Sequence, residues 1–223
     1  MDRLLDHEME ELNHLLLAMG GEVEKQLDMA IDALVHRDSD LAQQVIDGDA
    51  VIDRRELEVD QRVMAVVIRE KPMARDLRLV LSAVKIAPDL ERVADHAVNV
   101  ARQAIELSRV PPLKKFVILP RMAEVARSMV RDALGAFVKR DPELARQVIG
   151  RDEEVDAYYE QLFRELLTYM MEDPTTIPRC LALLLVAASL ERIADQGTNI
   201  AEQAVYVIEG QDIRHRHARE GAE

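Results

Sequence analysis

The chain has 223 residues, 48% of them hydrophobic and only 3% aromatic, with no tryptophan; that suffices for a packed core in one large domain or two small ones and disfavours a β-rich protein. Its formal net charge of −13 opposes binding to nucleic acid or anionic lipid, both of which need a basic surface. The lone cysteine, Cys180, excludes an internal disulfide and reads as a packed thiol, and Met1-Asp2-Arg3-Leu4-Leu5-Asp6 lacks the basic and apolar regions of a secretory signal, so a cytoplasmic protein is expected.

The first segment sets Leu12, Leu15, Leu16, Met19, Val23, Leu27, Ala30, Ile31 and Leu34 at spacings of three and four, the pattern of an amphipathic helix. Gly20-Gly21 falls inside it. With no lysine and hydroxyl residue behind it to build a phosphate loop, the pair reads as a place of close helix packing. Arg37-Asp38-Ser39-Asp40 is a polar break rich in N-cap residues, after which Leu41, Val45, Ile46, Ile52, Val59, Val63, Val66 and Val67 predict a second helix to about Glu70. Lys71-Pro72 ends it, because proline lacks the amide donor and turns the residue before it away from helical geometry. A third helix starts near Met73. Pro88, inside it, predicts a local bend or a missing backbone bond. Val110-Pro111-Pro112 then closes the first half.

The plan repeats beyond that linker, with helices expected over 118–139, 142–171 and 177–209 and breaks at Asp173-Pro174 and Gly210. Residues correspond as well as patterns. Leu-Ala-Gln-Gln-Val-Ile at 41–46 answers Leu-Ala-Arg-Gln-Val-Ile at 144–149, an offset of 103 that lays Asp49 and Asp53 on Asp152 and Asp156. Leu-Glu-Arg-Val-Ala-Asp at 90–95 returns at 190–195 as Leu-Glu-Arg-Ile-Ala-Asp. The uncharged run over 180–190 is too short to cross a bilayer and predicts a helix buried on most sides. The expected fold is therefore all-α: two tandem up-down-up three-helix bundles, six long helices in all, over residues 1–110 and 114–210. A polar tail over 211–223 holds the only basic cluster, Arg214-His215-Arg216-His217-Ala218-Arg219.

Each half offers two acidic pairs at the spacing that shares a helical face: Asp49 with Asp53 and Glu91 with Asp95, then Asp152 with Asp156 and Glu191 with Asp195. If the second and third helices of a half are antiparallel neighbours, four carboxylates converge. Such a patch needs cations or protons to offset its repulsion, and oxygen ligands suit hard or borderline cations such as iron, zinc, manganese or magnesium. Asn99 and Asn199, one turn further on, are placed to add an amide oxygen or to hold a ligand by an outer hydrogen bond. A lone acidic pair is common on solvated helix faces, and Arg92 and Arg192 offer the acids ordinary ion-pair partners; repetition in both halves favours the cation reading. The histidine that redox di-metal bundles carry three residues after their glutamate is absent, since those positions are Ala94 and Ala194. No nucleophile with an adjacent base is evident either, which weighs against an enzyme.

The duplicated LERVADHAVNVA and LERIADQGTNIAEQAVYVIEG, the acidic pairs on the preceding helices, Pro72-Met73-Ala74-Arg75-Asp76-Leu77-Arg78 and the opening helix with Met19-Gly20-Gly21 resemble the PhoU family of phosphate-transport accessory proteins over about residues 5–210. The chain departs from that pattern at Ala94 and Ala194, where glycine is usual, and at Gln196, where histidine is frequent. The resemblance implies pseudo-symmetric bundles, metal sites at the acidic motifs as in some members, and a homodimer. It also implies a cytoplasmic negative regulator that works with the phosphate transporter ATPase subunit and a sensor histidine kinase to repress the phosphate-starvation response. The alternatives are a di-metal carboxylate enzyme on a helical bundle and a related regulator of another transporter.

Overall fold

Polar breaks and prolines divide the chain into helices much as their chemistry dictates. The computed structural model describes residues 2–213, with side chains from residue 5 onward; the basic cluster at 214–219 lies outside the described residues. Among these, α1 (Asp2–His36), α2 (Ser39–Glu70) and α3 (Ala74–Ser108) form the first half. The second half comprises α4 (Ile118–Lys139), α5 (Pro142–Ile149), α6 (Asp152–Glu172) and α7 (Ile177–Glu209), with a 3-10 turn at Pro174–Thr176.

The duplication reaches down to single hydrogen bonds. Asp38 caps α2, its carboxylate accepting from the amides of Asp40 at 3.0 Å and Leu41 at 2.9 Å. Asp141 caps α5 in the same way, accepting from Glu143 at 3.1 Å and Leu144 at 3.0 Å. Before each cap stands an arginine in the left-handed region, Arg37 at φ 59° and Arg140 at φ 58°. These caps satisfy orphan amides at the helix starts, and losing one typically costs about 1 kcal/mol.

The helix expected over 142–171 is broken into α5 and α6. Gly150 keeps a helical amide bond to Arg146, but the Arg151 amide tightens onto the carbonyl of Val148, 3.0 Å away. The Arg151 guanidinium reaches back to Asp132 on α4 at 3.1 Å. A glycine of low helix propensity and a side chain anchored on another helix together interrupt the ladder. Gly48, one position from the counterpart of Gly150, stays inside α2. Pro88 likewise leaves α3 unbroken, withdrawing only the amide that would have bonded the carbonyl of Val84.

Within each half the helices pack mutually, and α1 against α4 and α3 against α7 join the halves. Both joining pairs are antiparallel. Arg127 on α4 pairs with Asp28 on α1 at 2.9 Å, while Arg78 at the start of α3 donates to the carbonyl of Val207 near the end of α7 at 3.3 Å. Residues such as Leu90, Val93, Ala94, Leu190, Ile193 and Ala194 are buried in one continuous core. The run over 180–190 is less enclosed than its composition predicts: Cys180, Leu183, Val186 and Leu190 are buried, yet Leu181 and Leu185 are 51% and 56% exposed. They lie on the outer face of the α3–α7 pair, beside a groove that also involves Leu107 and Val110.

Close packing explains one glycine of the expected pair and one that the pattern did not single out. A methyl group on Gly20 would meet the tip of Leu134 on α4, whereas Gly21 is exposed with nothing within 4 Å. At Gly197 the added carbon would stand 3.1 Å from Met129 Cβ and 3.2 Å from the amide nitrogen of Val130, atoms that cannot swing aside. Gly197→Ala is therefore expected to destabilise the fold by about 1–2 kcal/mol after its gain in helix propensity, and Gly21→Ala to stabilise it by about 1 kcal/mol. Urea midpoints of the two variants check both signs.

Candidate functional site

The first acidic cluster is built by α2 against α3. Asp49 and Asp53 stand one turn apart on α2, Glu91 and Asp95 one turn apart on α3, and each set lies in the field of the other. Burial, followed by the charges of Asp95, Glu56, Asp53 and Asp49, pushes Glu91 up to about 6. Asp49 is raised too, chiefly by burial, with Asp95 and Asp53 adding to the shift and Gln26 and Arg102 opposing it. Glu56, also raised by burial and by Asp60 and Asp53, is a fifth carboxylate that the spacing argument missed. Asn99 is exposed, its amide oxygen accepting from Arg102 at 3.1 Å.

The second cluster repeats the arrangement with α6 against α7. Asp152 is raised by burial and by Asp156 and Asp195, with the Thr198 hydroxyl working against the shift. Asp195 is raised by burial, opposed by Arg192 and assisted by Glu191 and Asp156. Arg192 lies 3.6 Å from the Asp195 carboxylate, so this half supplies its own cation. Asn199 donates to Gln196 at 3.4 Å and lines a groove with Lys85, Pro88, Asp89 and Arg92. It is turned toward α3 as well as toward its own helix.

The two clusters also differ at a position that periodicity alone passed over. Gln26, on α1, is only 7% exposed. Its amide nitrogen donates to the carbonyl of Val45 at 3.0 Å and approaches Asp49 Oδ1 at 3.5 Å, while its amide oxygen is buried without a hydrogen-bond partner among the described residues. An orphaned carbonyl oxygen costs about 1–3 kcal/mol. At the 103-residue offset the second half has Met129, which is fully buried. A glutamine on the otherwise apolar buried stripe of α1 was the available signal.

The clustered donors are all oxygens, which fits a hard cation; Gln26 turns its amide nitrogen, not its unpartnered oxygen, toward Asp49. Among the described residues no three side chains of His, Cys, Asp or Glu stand close enough to hold one ion as they are placed. The carboxylates share a field without sharing a ligation point, as mutually repelling groups do. Burial lowers the pKa of His96, with Asp95 opposing the shift, and its Nδ1 is buried without a hydrogen-bond partner among the described residues. Cys180 is buried with its sulfur 3.8 Å from the Thr176 hydroxyl, consistent with a packed thiol. No helix of the described residues is long and apolar enough to cross a membrane.

Known proteins share this architecture along nearly its whole length. The chain matches the PhoU domain twice, over residues 16–104 and 119–204. It is 44% identical over 209 residues to a Pseudomonas putida protein named phosphate-specific transport system accessory protein PhoU homolog, covering 93% of this chain and 82% of that one. An Aquifex aeolicus protein of the same name is 41% identical over 216 residues, 97% of this chain and 98% of that one. Among solved structures, PhoU from Pseudomonas aeruginosa superposes with a TM-score of 0.88 at 42% identity, covering 92% of this chain and 99% of that one. The phosphate transport system regulatory protein PhoU from Streptococcus pneumoniae gives 0.83 at 30% identity, covering 94% and 99%.

Proposed function

The chain belongs to the PhoU family, and from that membership we propose that it is a cytoplasmic accessory protein of phosphate uptake that restrains the phosphate-starvation response. In this reading it is a homodimeric adaptor, not an enzyme, that links the phosphate transporter ATPase subunit to a sensor histidine kinase and reaches the membrane only through them. The observation that carries the reading is similarity over nearly all of both chains to proteins named as accessory or regulatory components of phosphate transport.

Within that role the acidic clusters serve as cation sites. Asp49, Asp53, Glu91 and Asp95 hold the ion in the first half, with Glu56 and Gln26 beside them; Asp152, Asp156, Glu191 and Asp195 form the corresponding set in the second. A bound iron, zinc, manganese or magnesium ion would supply charge neutralisation between the second and third helices of a half. The first half is the stronger site, because Arg192 already offsets Asp195 in the second. A redox di-metal enzyme is disfavoured by Ala94 and Ala194, where its histidines would stand.

The adaptor reading is tested with purified full chain mixed with the ATPase subunit and with the cytoplasmic part of the kinase, at low and high phosphate. Retention of both partners is the expected result. Failure to retain either at any phosphate level removes the proposal, and steady turnover of oxygen or phosphoesters abolished by Glu91→Ala reinstates the enzyme.

A further inference from the structure

The turn between α2 and α3 is used by neither acidic cluster, yet it concentrates exposed apolar side chains and positive charge. Met64, Ile68 and Met73 are 60%, 67% and 79% exposed. Met64 and Ile68, one turn apart, share a face of α2, and Met73 follows just past the turn. Arg69, Lys71 and Arg75 are exposed beside them. Lys71 and Ala74 both hold left-handed backbone, at φ 48° each, a conformation that residues with a β-carbon adopt only where surrounding structure imposes it. The buried Pro72 between them and the Arg78 bond to the carbonyl of Val207 fix the turn against the fold.

The opposite end of the molecule supplies the contrast. Leu167 and Met171, at the 103-residue offset from Met64 and Ile68, are 44% and 78% exposed. The charges that follow them are acidic, Glu172 and Asp173, both exposed. Apolar exposure is thus common to the two ends, and the cation surplus to one: Arg69, Lys71, Arg75 and Arg78 outnumber Glu70 and Asp76 at the α2–α3 turn, whereas Arg179 stands against Glu172 and Asp173 at the other. On a chain of net charge −13, a local surplus of cations around three exposed apolar side chains selects a partner that is anionic and apolar at once. Methionine adds adaptability to such a surface.

We propose that the α2–α3 turn docks an acidic, apolar protein segment: a helix or strand that sets aspartate or glutamate beside leucine, methionine or phenylalanine. The inference deepens the adaptor reading and rests on it, placing that segment on the ATPase subunit or the kinase. Lipid is the weaker occupant. Stable attachment to an anionic bilayer takes clusters of roughly four to eight basic residues, and the net charge of −13 opposes it.

The test measures binding of the full chain to the purified ATPase subunit and to the cytoplasmic part of the kinase across a salt series. Met64→Ser with Ile68→Ser is expected to weaken binding to one of them at least tenfold. Arg69→Glu with Lys71→Glu and Arg75→Glu should weaken it similarly and flatten its salt dependence, while Leu167→Ser with Met171→Ser leaves it unchanged. Unaltered thermal midpoints show that the exposed substitutions preserve the fold. Wild-type affinity in both turn variants overturns the docking site and leaves the adaptor role standing. Failure of the wild-type chain to bind either protein removes both. Two further outcomes reassign the surface and overturn the inference: turn-dependent sedimentation with phosphatidylglycerol vesicles, and self-association lost on altering either end.

Discussion

Replacing Glu91 by Gln and Asp95 by Asn together is expected to abolish cation uptake by the first half and, in the presence of chelator, to make the protein more stable at neutral pH. Glu91 is raised from 4.5 to about 6 by burial and by its acidic neighbours, so between those values the folded chain binds more protons than the unfolded one. Stability therefore falls as pH rises through that window, and the penalty is complete above about 6. Because the glutamate retains a solvent-facing side, about 1 kcal/mol is the expected size. Urea midpoints taken with chelator should show the double variant ahead of wild type at pH 7.5 and level with it at pH 4. Metal analysis of both proteins reads the other half of the prediction. Undiminished cation uptake in the variant returns these acids to the role of a solvated helix face.

Asp89→Asn should give the larger gain in stability. The residue is 7% exposed, and burial raises its carboxyl from 3.8 to about 6 despite Arg92, which lies 3.0 Å away. The sign is the same as for Glu91: the folded state holds the extra proton, so the cost is absent below about 3.8 and fully present above about 6. The difference corresponds to about 3 kcal/mol at pH 7.5. Losing the aspartate deprives Arg92 of little, since that side chain is 57% exposed and such ion pairs contribute at most about 1 kcal/mol. The duplicated half already has an uncharged residue at this place, Ser189, whose hydroxyl donates to the carbonyl of Leu185 at 2.9 Å. Denaturation at pH 4 and pH 7.5 decides the matter: equal midpoint differences at the two values would contradict a titrating Asp89.

The boundaries that local chemistry enforces were legible from sequence. Pro72 sits beyond the end of α2, Asp38 and Asp141 cap the helices that follow them, and Gly210 at φ 72° ends α7. The acidic pairs were legible because repetition at fixed offsets marks them twice. What the sequence left hidden depends on contacts between distant helices. Arg151 interrupts the fifth predicted helix through Asp132 on α4, Glu56 joins the first cluster because α2 lies against α3, and Gln26 meets Asp49 across 23 positions of chain. Leu181 and Leu185 are exposed although their apolar run suggested enclosure, because periodicity counts apolar residues and not the neighbours available to cover them.

The α1–α4 contact bears on how a duplicated chain keeps its halves in order. Glu24 and Asp28 on α1 face Arg127 and Arg131 on α4, and at the 103-residue offset each acid corresponds to one of those arginines. Two copies of the first half meeting through this surface would set acid against acid, and two copies of the second would set arginine against arginine. Only the mixed pairing is attractive. Exchange of these four charges therefore acts as a heterospecific key, committing each repeat to the other and discouraging the swapped assemblies to which tandem duplicates are prone.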